Sequence, residues 1–474
     1  MKTRLIPALL FFTLSTFLIS TSILAQQAWT LQDCIDHAMR HNLEIKQQEL
    51  NEESGRYDLE QSYANFLPTI NAEGSQGFSF GRSVDPFTNE FSTERIMRQN
   101  VGARSSVPLF AGFQNVNHMR RSMLRHTALR HDTESVRNDI TLSIAAAFMQ
   151  ILYNEDFLET ARQQVELISQ QLERTRVLFE GGTVPKGSVL EIEARLAEEE
   201  VNLVNAENNL RLSYLELIQL LDLDPADEFS IVTPDIEVMD QFILKDPEFV
   251  FEKAMQIEPT VQSAGTRIMM AERLVALERG RRSPSIYLTG SIGTGYSQAN
   301  QLMRRESIGP VQIGYLEDNT PVFADGFQNI FERKPYNDQI RDNFNQYVGL
   351  NLSIPIFNRW DVRTRVQQSK IELDRANNQF ELTRNNLNKV IQQAHADALA
   401  AFQRYQATTK SQEAFNEAFN YTRQRFDLGM VSSVEFNESQ TRLARAEREA
   451  LQAKYDFVFK IKIMEFFMGE GFKL

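Results

Sequence analysis

The chain has 474 residues, with 63 acidic against 50 basic side chains and a formal net charge of −13. This surplus of negative charge argues against nucleic acid as a partner. The single cysteine, Cys34, excludes an internal disulfide. The length alone suggests two or three globular domains, but two repeats of one unit, described below, fit the sequence better.

The N-terminus carries a predicted secretory signal peptide, Met1–Ala25. Lys2 and Arg4 form a short basic start, and an apolar run follows them. Cleavage would remove these two bases and change the net charge from −13 to −15. The alternative interpretation is an uncleaved signal anchor. No stretch of 18 or more apolar residues follows, so the sequence offers no transmembrane helix. Cys34 follows Asp33, which is unlike the small residues that precede a lipid-modified cysteine, so we expect a small buried helix residue there.

A helix over about Leu31–Leu67 leads into segments whose periodicity is two. Ile70–Ser75 and Val101–Leu109 alternate between apolar and polar residues, as half-buried strands do. The stretch near Gly81–Asn100, which separates them, is predicted to be a long polar loop.

A very long helical hairpin follows, over about Asn115–Glu180 and Lys186–Leu221. Its first helix contains no proline or glycine. Apolar residues recur every seven positions, which is typical of coiled-coil packing: Ile144, Ile151, Leu158, Val165, Leu172 and Phe179, then Val189, Leu196, Leu203, Leu210 and Leu217. At about 1.5 Å per residue the first helix would extend about 100 Å. The return helix and the N-terminal helix would each extend about 55 Å, so these two helices, stacked end to end, would equal the first in length.

The second half of the chain repeats the first. Residues 101–221 return as residues 348–468 at an offset of 247, as Val101 and Val348 illustrate. An earlier match at an offset of 216 pairs Pro68 with Pro284, so the second copy carries about 31 extra residues (247 − 216) before Val348. One structural unit is therefore built twice. We predict a first repeat over residues 26–250 and a second over residues 251–474.

The second copy contains the same elements as the first. Its strands are predicted near Ile286–Leu288 and Val348–Ile356, with a long polar loop near Ser297–Tyr347 between them. The turns that connect the paired helices are Gly181–Pro185 and Leu428–Ser432, with glycine where a helix ends and proline or serine where the next begins.

The four predicted strands have a length of about 10 residues and aromatic residues near their ends, as strands of outer-membrane barrels do. The alternative is a soluble hairpin packed on helices. Four strands cannot close a barrel, and an open edge in lipid leaves backbone groups unpaired. The barrel would therefore be shared by at least two chains, and three chains would supply twelve strands.

Little in the sequence indicates catalysis or a metal site. His37 and His41 are four residues apart on a predicted helix, a spacing that can hold a metal ion, but the glutamate of the H-E-x-x-H pattern is absent. The glycines of Gly290–Gly295 resemble a phosphate-binding loop only superficially, because the segment continues a strand and opens no helix. We expect no enzymatic activity, no cofactor and no resident metal.

Two short motifs occur once in each repeat. An F-x-x-G-x-V motif forms the hairpin turns (Phe179–Val184 and Phe426–Val431), and a V/I-P-L/I-F motif ends a strand (Val107–Phe110 and Ile354–Phe357). With the order of elements behind a signal peptide, they make the chain resemble the TolC family of outer-membrane efflux ducts over essentially its whole mature length.

The resemblance implies a mixed α and β membrane protein. Three identical chains would form a twelve-stranded β-barrel in the outer membrane of a Gram-negative bacterium, continued into the periplasm by a long α-helical coiled-coil tunnel. A belt around the tunnel would come from Asp222–Pro247 and Gly469–Leu474.

The implied function is the exit duct of a tripartite efflux system or a type I secretion system. A periplasmic adaptor (a membrane fusion protein) and an inner-membrane pump of the RND or ABC type would dock at the hairpin tips, and outer-membrane lipid would surround the barrel. The tip residues are Gly181, Gly182, Thr183, Val184, Leu428, Gly429, Met430 and Val431. The alternative is a soluble periplasmic coiled-coil adaptor or scaffold, which would not need four alternating strands with aromatic ends.

The resemblance also implies an acidic ring at the periplasmic entrance. The positions that match the family's acidic residues are Glu435 and Glu438, and Glu191 is the repeat mate of Glu438. Rings of acidic side chains favour cations.

The closed state of the family is held by polar bonds at the tip that this sequence cannot make. Phe426 stands at the position of a tyrosine, Val431 at that of an arginine and Ser188 at that of an acid. We therefore predict a resting pore that is either closed by apolar packing of Phe179, Phe426 and Val431 or leakier than that of the family. The alternative is an ionic lock through Lys186 or Arg425.

Overall fold

The computed structural model describes residues 28–85, 87, 89, 91–93, 95–224, 229–234 and 245–472. The predicted signal peptide, Met1–Ala25, lies outside these residues. The helices of the described part are α1 (Leu31–His41), α2 (Leu43–Ala64), α3 (Gln114–Glu180), α4 (Lys186–Leu220), α5 (Pro247–Ile257), α6 (Pro259–Gly280), α7 (Tyr336–Asp342), α8 (Asp361–Asp427) and α9 (Ser433–Phe467). The strands are β1 (Thr69–Ser79), β2 (Ser83–Val84), β3 (Phe91–Ser92), β4 (Ile96–Ala111), β5 (Ser285–Ser297), β6 (Gln301–Tyr315), β7 (Pro321–Arg333) and β8 (Asn345–Ser353).

The duplication is present in the structure. α3 and α8 have 67 residues each, and their first residues differ by 247 (361 − 114). α4 and α9 have 35 residues each at the same offset (433 − 186). Left-handed backbone positions repeat at this offset too: Phe113 and Trp360, Gly182 and Gly429, Asp222 and Gly469. The two predicted helical hairpins are confirmed, whereas the limits of the repeats at residues 26–250 and 251–474 stay predictions.

The chain divides into two compact units, and each unit draws on both sequence repeats. Within the described residues, the first unit comprises 28–46, 137–250 and 391–472, and the second comprises 47–136 and 251–390. The first unit contains both hairpin turns, and the second contains the strands.

In the first unit the predicted heptad positions of α3 and α4 lie in the packing seam of the first hairpin. Ile144, Ile151, Leu158 and Leu172 are buried, and Val189 packs against the last of these. Burying one such side chain contributes about 1.5–3 kcal/mol, which explains why the seam holds these long helices together. The pattern fails at its last member, since Phe179 is 40% exposed.

The predicted helix over Leu31–Leu67 is interrupted at Asn42, so it forms the two helices α1 and α2. Asn42 has an extended backbone (ψ 130). Its side-chain oxygen accepts hydrogen bonds from the N–H groups of Glu44 (2.9 Å) and Ile45 (3.2 Å), and its amide donates to the carbonyl of Leu220 (3.0 Å). An asparagine can cap a new helix in this way, and the bond to Leu220 holds the break in place.

In the second unit, four strands form an antiparallel sheet in the order β1-β4-β5-β8. The four predicted strands are therefore confirmed. β4 continues through Pro108, where the register with β5 shifts, and β1 has stopped pairing with β4 at Ser106. A proline has no N–H to donate to a neighbouring strand. It is tolerated at position 108 because β1 no longer pairs with β4 there and the register with β5 is shifted.

The two faces of this sheet differ in chemistry. On one face lie Ile70, Ala72, Val101, Ala103, Val107, Ile286, Leu288, Ile292, Val348, Leu350 and Leu352. On the other lie mainly polar side chains, including Asn71, Glu73, Arg104, Ser291 and Asn351. Many apolar side chains of the first face are exposed, Ile70 and Val348 by three quarters.

The segment Ser297–Tyr347 contains more structure than the predicted polar loop. It includes the antiparallel hairpin β6–β7 and the short helix α7. α7 is held on β5 because Gln339 accepts a hydrogen bond from the N–H of Ser297 (3.0 Å) and Thr294 donates to the carbonyl of Ile340 (2.6 Å). Two register shifts within β6 interrupt its alternation, and this is why sequence analysis missed the hairpin.

Candidate functional site: the tips of the two helical hairpins

The first tip connects α3 to α4 through a tight glycine turn. The N–H of Thr183 donates to the carbonyl of Leu178 (2.8 Å), and that of Gly182 donates to the carbonyl of Phe179 (2.9 Å). This is the Schellman arrangement, which requires a left-handed residue after the helix end. Gly182 supplies it with a φ of 76°.

The second tip has the same geometry. The N–H of Met430 donates to the carbonyl of Arg425 (2.9 Å), and that of Gly429 donates to Phe426 (2.9 Å). Gly429 also has a φ of 76°. No atom of the described chain lies within 4 Å of a Cβ placed on Gly182 or Gly429. Both glycines are therefore needed for backbone conformation, and the space beside them is open.

Apolar side chains are exposed at the second tip. Leu428 is 75% exposed and Met430 is 66% exposed, although both lie directly after the end of α8, whose apolar residues are packed against α9. Gly181 and Thr183 are exposed at the first tip, while Val184 and Val431 are half-buried. The second tip thus offers two apolar side chains that nothing in the described part of the chain covers.

Phe426 lies in the seam between α8 and α9, not on the outside of the tip. Its ring stacks on Phe436 at 4.6 Å, and Phe419 lies 5.5 Å from the same ring. These aromatic residues and Leu443 form one cluster. Phe426 therefore holds the end of the second hairpin together.

The acidic residues predicted for the entrance ring have basic partners. Glu435 pairs with Arg425 at 3.4 Å, and Glu438 pairs with Arg442 at 2.5 Å, all on exposed surface. Glu191 is exposed, and Ser188 is half-buried in the first turn of α4. Two of the three predicted carboxylates are thus partly neutralised within the chain.

Two polar contacts that sequence analysis missed connect the first hairpin to the second. Arg174 of α3 pairs with Asp427 of α8 at 2.9 Å. Arg195 of α4 donates to the carbonyl of Asn437 (3.0 Å) and to the hydroxyl of Thr441 (2.7 Å) of α9. Burial lowers the pKa of Arg195. The duplication was the only sequence feature that pointed to Arg195, because it places Arg195 and Arg442 at equivalent positions of the two repeats. Arg442, however, bonds to Glu438 within its own helix.

We expect replacement of Glu435 and Glu438 by glutamine to shift the ion selectivity toward anions, because Arg425 and Arg442 would then lose their partners. The reversal potential across a planar bilayer under a salt gradient measures this shift. Glu193→Gln is the matched control, since Glu193 forms a similar exposed pair with Arg176 at 2.6 Å. An unchanged reversal potential in the double variant, or an equal shift in the control, would count against an acidic entrance ring.

Part of the predicted belt lies beside the N-terminal segment. Within residues 229–234, Val232 donates its N–H to the carbonyl of Trp29 (2.9 Å), and Trp29 donates to Ser230 (2.9 Å). Lys245 pairs with Glu470 near the C-terminus at 3.8 Å. The two segments predicted to form the belt therefore contact each other, while residues 225–228, 235–244 and 473–474 lie outside the described ranges.

The residues considered for a metal site or a phosphate-binding loop lie in ordinary structural positions, and so does Cys34. The rings of His37 and His41 stack at 4.4 Å, and burial lowers the pKa of His37. Cys34 is fully buried, which raises the pKa of its thiol to about 12. Gly290–Gly295 lies within β5, as predicted. In the described ranges, no group of three or more potential metal ligands comes together, and no helix has the length and apolar character needed to cross a membrane.

Comparison with known proteins identifies the family. Residues 34–222 and 250–458 match the family model described as outer membrane efflux protein. The outer membrane protein TolC of Vibrio cholerae is 21% identical over 327 residues, which is 69% of this chain and 67% of the relative. The CmeC outer membrane channel of Campylobacter jejuni has a TM-score of 0.75 at 15% identity, covering 94% of this chain and 86% of its own. VceC of Vibrio cholerae has a TM-score of 0.73 at 14% identity, covering 94% and 97%.

The family match spans both repeats, including the strands and both hairpins. This extent overturns the alternative of a soluble adaptor or scaffold. The chain belongs to the TolC family of outer membrane efflux proteins, and it is an outer-membrane efflux channel.

Proposed function

We propose that three copies of this chain form the exit duct of a tripartite efflux or type I secretion system. The duct would pass substrates from an inner-membrane pump and a periplasmic adaptor to the exterior. It would combine a twelve-stranded barrel in the outer membrane with a helical tunnel in the periplasm.

The observation that carries the proposal is the four-stranded sheet with one apolar face and two free outer strands. Among the described residues, no strand pairs with the outer edges of β1 and β8. In lipid the unpaired backbone groups of these edges would each cost several kcal/mol. Each strand of the sheet is antiparallel to its neighbour, so β8 runs in the opposite direction to β1. β8 of one copy can therefore pair antiparallel with β1 of the next. The apolar face would then meet lipid, and the polar face would line the channel.

The tips support docking of the adaptor. Exposed Leu428 and Met430 beside a compact glycine turn offer an apolar surface that a helical partner could bury. The inner-membrane pump, of the RND or ABC type, would act through this adaptor.

The choice of transported material should belong to the pump, since a duct selects mainly by width and charge. We expect that exchanging the partner pump changes the spectrum of exported compounds while this chain stays the same. Minimum inhibitory concentrations in a strain that carries either pump measure the outcome. A spectrum that follows this chain and ignores the pump would contradict the proposed role.

A further inference from the structure

The apolar face of the four-stranded sheet ends in aromatic residues where the strands meet the helices. The register shift between Pro108 and Phe110 turns the side chain of Phe110 onto the apolar face, because Phe110 is the partner of Ile286. The ring centroids of Phe110 and Phe113 lie 5.4 Å apart in an edge-on contact, and Phe113 is 65% exposed. Phe113 therefore extends the apolar face to the start of α3.

In the second repeat, Trp360 occupies the position of Phe113. Both residues have a left-handed backbone, and so do the residues before them, Gly112 (φ 60°) and Arg359 (φ 52°). A side chain on Gly112 would clash with the carbonyl of Gly280, which explains the glycine. Arg359 keeps the same conformation, although a glycine there would be free of its strain. A strained side chain that the fold retains is a reason to look for a function at that position.

Arginines outnumber acidic residues where the strands meet the helices. The joining segments, each taken with one turn of its helix, are 61–68, 112–117, 277–284 and 354–364. Together they hold five arginines and two acids, in a chain whose net charge is −13. Glu278 pairs with Arg281 at 2.7 Å, and Asp361 pairs with Arg365 of the next turn at 2.9 Å. In the described part of the chain no carboxylate pairs with the other four arginines, all exposed, which we call the basic collar: Arg279, Arg282, Arg359 and Arg363.

We propose that the basic collar binds the phosphate groups of anionic phospholipids in the periplasmic leaflet of the outer membrane. This rests on the proposed duct, in which the strands span the membrane and the long helices lie in the periplasm. The guanidinium of Arg363 lies 4.2 Å from the centroid of the Trp360 ring. A tryptophan at the end of a lipid-facing surface suits the membrane–water interface, so Arg363 lies at the level of the lipid headgroups.

Arginine is suited to this role because its planar guanidinium donates two parallel hydrogen bonds to a phosphate. The collar follows the apolar face, which the proposed barrel turns toward lipid, and this favours a lipid headgroup over a solute inside the channel. A basic residue near an anionic membrane surface strengthens binding about fivefold. We therefore expect the lipid next to Trp360 to be enriched in anionic phospholipid by about fivefold or more over zwitterionic lipid.

Quenching of tryptophan fluorescence by brominated lipids tests the proposal. The chain has two tryptophans, so Trp29→Phe leaves Trp360 as the only one. Full-length protein is reconstituted in phosphatidylcholine vesicles that contain a fixed fraction of either brominated phosphatidylglycerol or brominated phosphatidylcholine, with the bromine near the glycerol end of the acyl chain. We expect the brominated phosphatidylglycerol to quench Trp360 more strongly. Trp360→Phe is the control, because it leaves Trp29, which packs on His37 and Phe229 in the first unit and should escape quenching.

Charge variants of the Trp29→Phe protein show whether the collar causes the difference. Arg282→Gln with Arg359→Gln should bring the quenching by the two lipids close together, and Arg282→Lys with Arg359→Lys should keep most of the difference. Arg130→Gln with Arg211→Gln is the matched control, since both arginines are exposed on α3 and α4. An unchanged elution volume in detergent confirms that the variants are folded.

Two results would overturn the proposal, and they differ in what they say about the duct. Equal quenching of Trp360 by both lipids would show an aromatic girdle that does not recognise headgroups, and the proposed duct would stand. No quenching of Trp360 by either lipid would show that this end of the sheet does not face the membrane, and the proposed barrel would fail with it. A difference that persists when Arg282 and Arg359 are glutamine would overturn the assignment to the collar.

Discussion

A chain that carries Leu428→Glu and Met430→Glu is expected to lose export. Both side chains are mostly exposed at the second tip, and two carboxylates cannot be buried in an apolar contact without partners. Truncation of a central apolar anchor costs about 2 kcal/mol or more in interfaces, and a buried charge costs more, so two such changes should weaken adaptor binding by over about a hundredfold. Drug susceptibility of cells and co-purification of the adaptor measure the loss.

Gly429→Asn is the matched control for this prediction. Asparagine tolerates the left-handed backbone that Gly429 adopts at a φ of 76°, and the space beside Gly429 is open. The control should therefore keep the turn and most of the export. Normal export by the double glutamate variant, at equal amounts in the outer membrane, would show that the adaptor does not use this tip.

Phe426→Ala is expected to raise the resting conductance far more than Asp427→Asn does. The first change removes a ring that stacks on Phe436 in the seam of the second hairpin. Phe→Ala changes in cores cost about 3–5 kcal/mol, and the half-buried position of Phe426 should give somewhat less. The second change breaks the pair of Arg174 with Asp427, whose side chains are 55% and 44% exposed. Such surface pairs are worth about 0–1 kcal/mol.

Conductance of single channels at several salt concentrations separates the two contributions. An apolar constriction should show little dependence of the effect on ionic strength, because screening weakens only the ionic pairs. A resting conductance that climbs steeply with salt and ignores Phe426→Ala would instead assign the closed state to ionic contacts. The candidates are then Arg174–Asp427 and Arg425–Glu435.

The sequence was sufficient for the repeated framework because that framework depends on periodicity. The seven-residue spacing from Ile144 to Leu172 and the alternation around Val101 reflect the geometry of buried faces, which a single chain carries along its length. The glycine turns were predictable for a different reason, because Gly182 and Gly429 meet a local backbone requirement at the end of a helix.

The features that sequence analysis missed depend on tertiary contacts. The helix break at Asn42 depends on a hydrogen bond from its side-chain amide to the carbonyl of Leu220, which is far away in the sequence. Arg195 and Arg442 occupy equivalent positions in the two repeats, yet one bonds to the other hairpin and the second bonds within its own helix. The ion pairs of Glu435 with Arg425 and of Glu438 with Arg442 likewise depend on side-chain positions, which the sequence pattern does not determine.

Disulfide cross-linking between β1 and β8 tests whether several copies of the chain share one barrel. One cysteine is placed on β1, at Asn71 or Ser75, and one on β8, at Tyr347 or Asn351. Arg104→Cys with Ser291→Cys is the control, because these positions are register partners of the neighbouring strands β4 and β5 and should bond only within one chain. We expect oxidised outer membranes to give a ladder of covalent species that ends at three chains for at least one β1–β8 pair. A β1–β8 bond within a single chain, or a ladder that ends at another number, would contradict it.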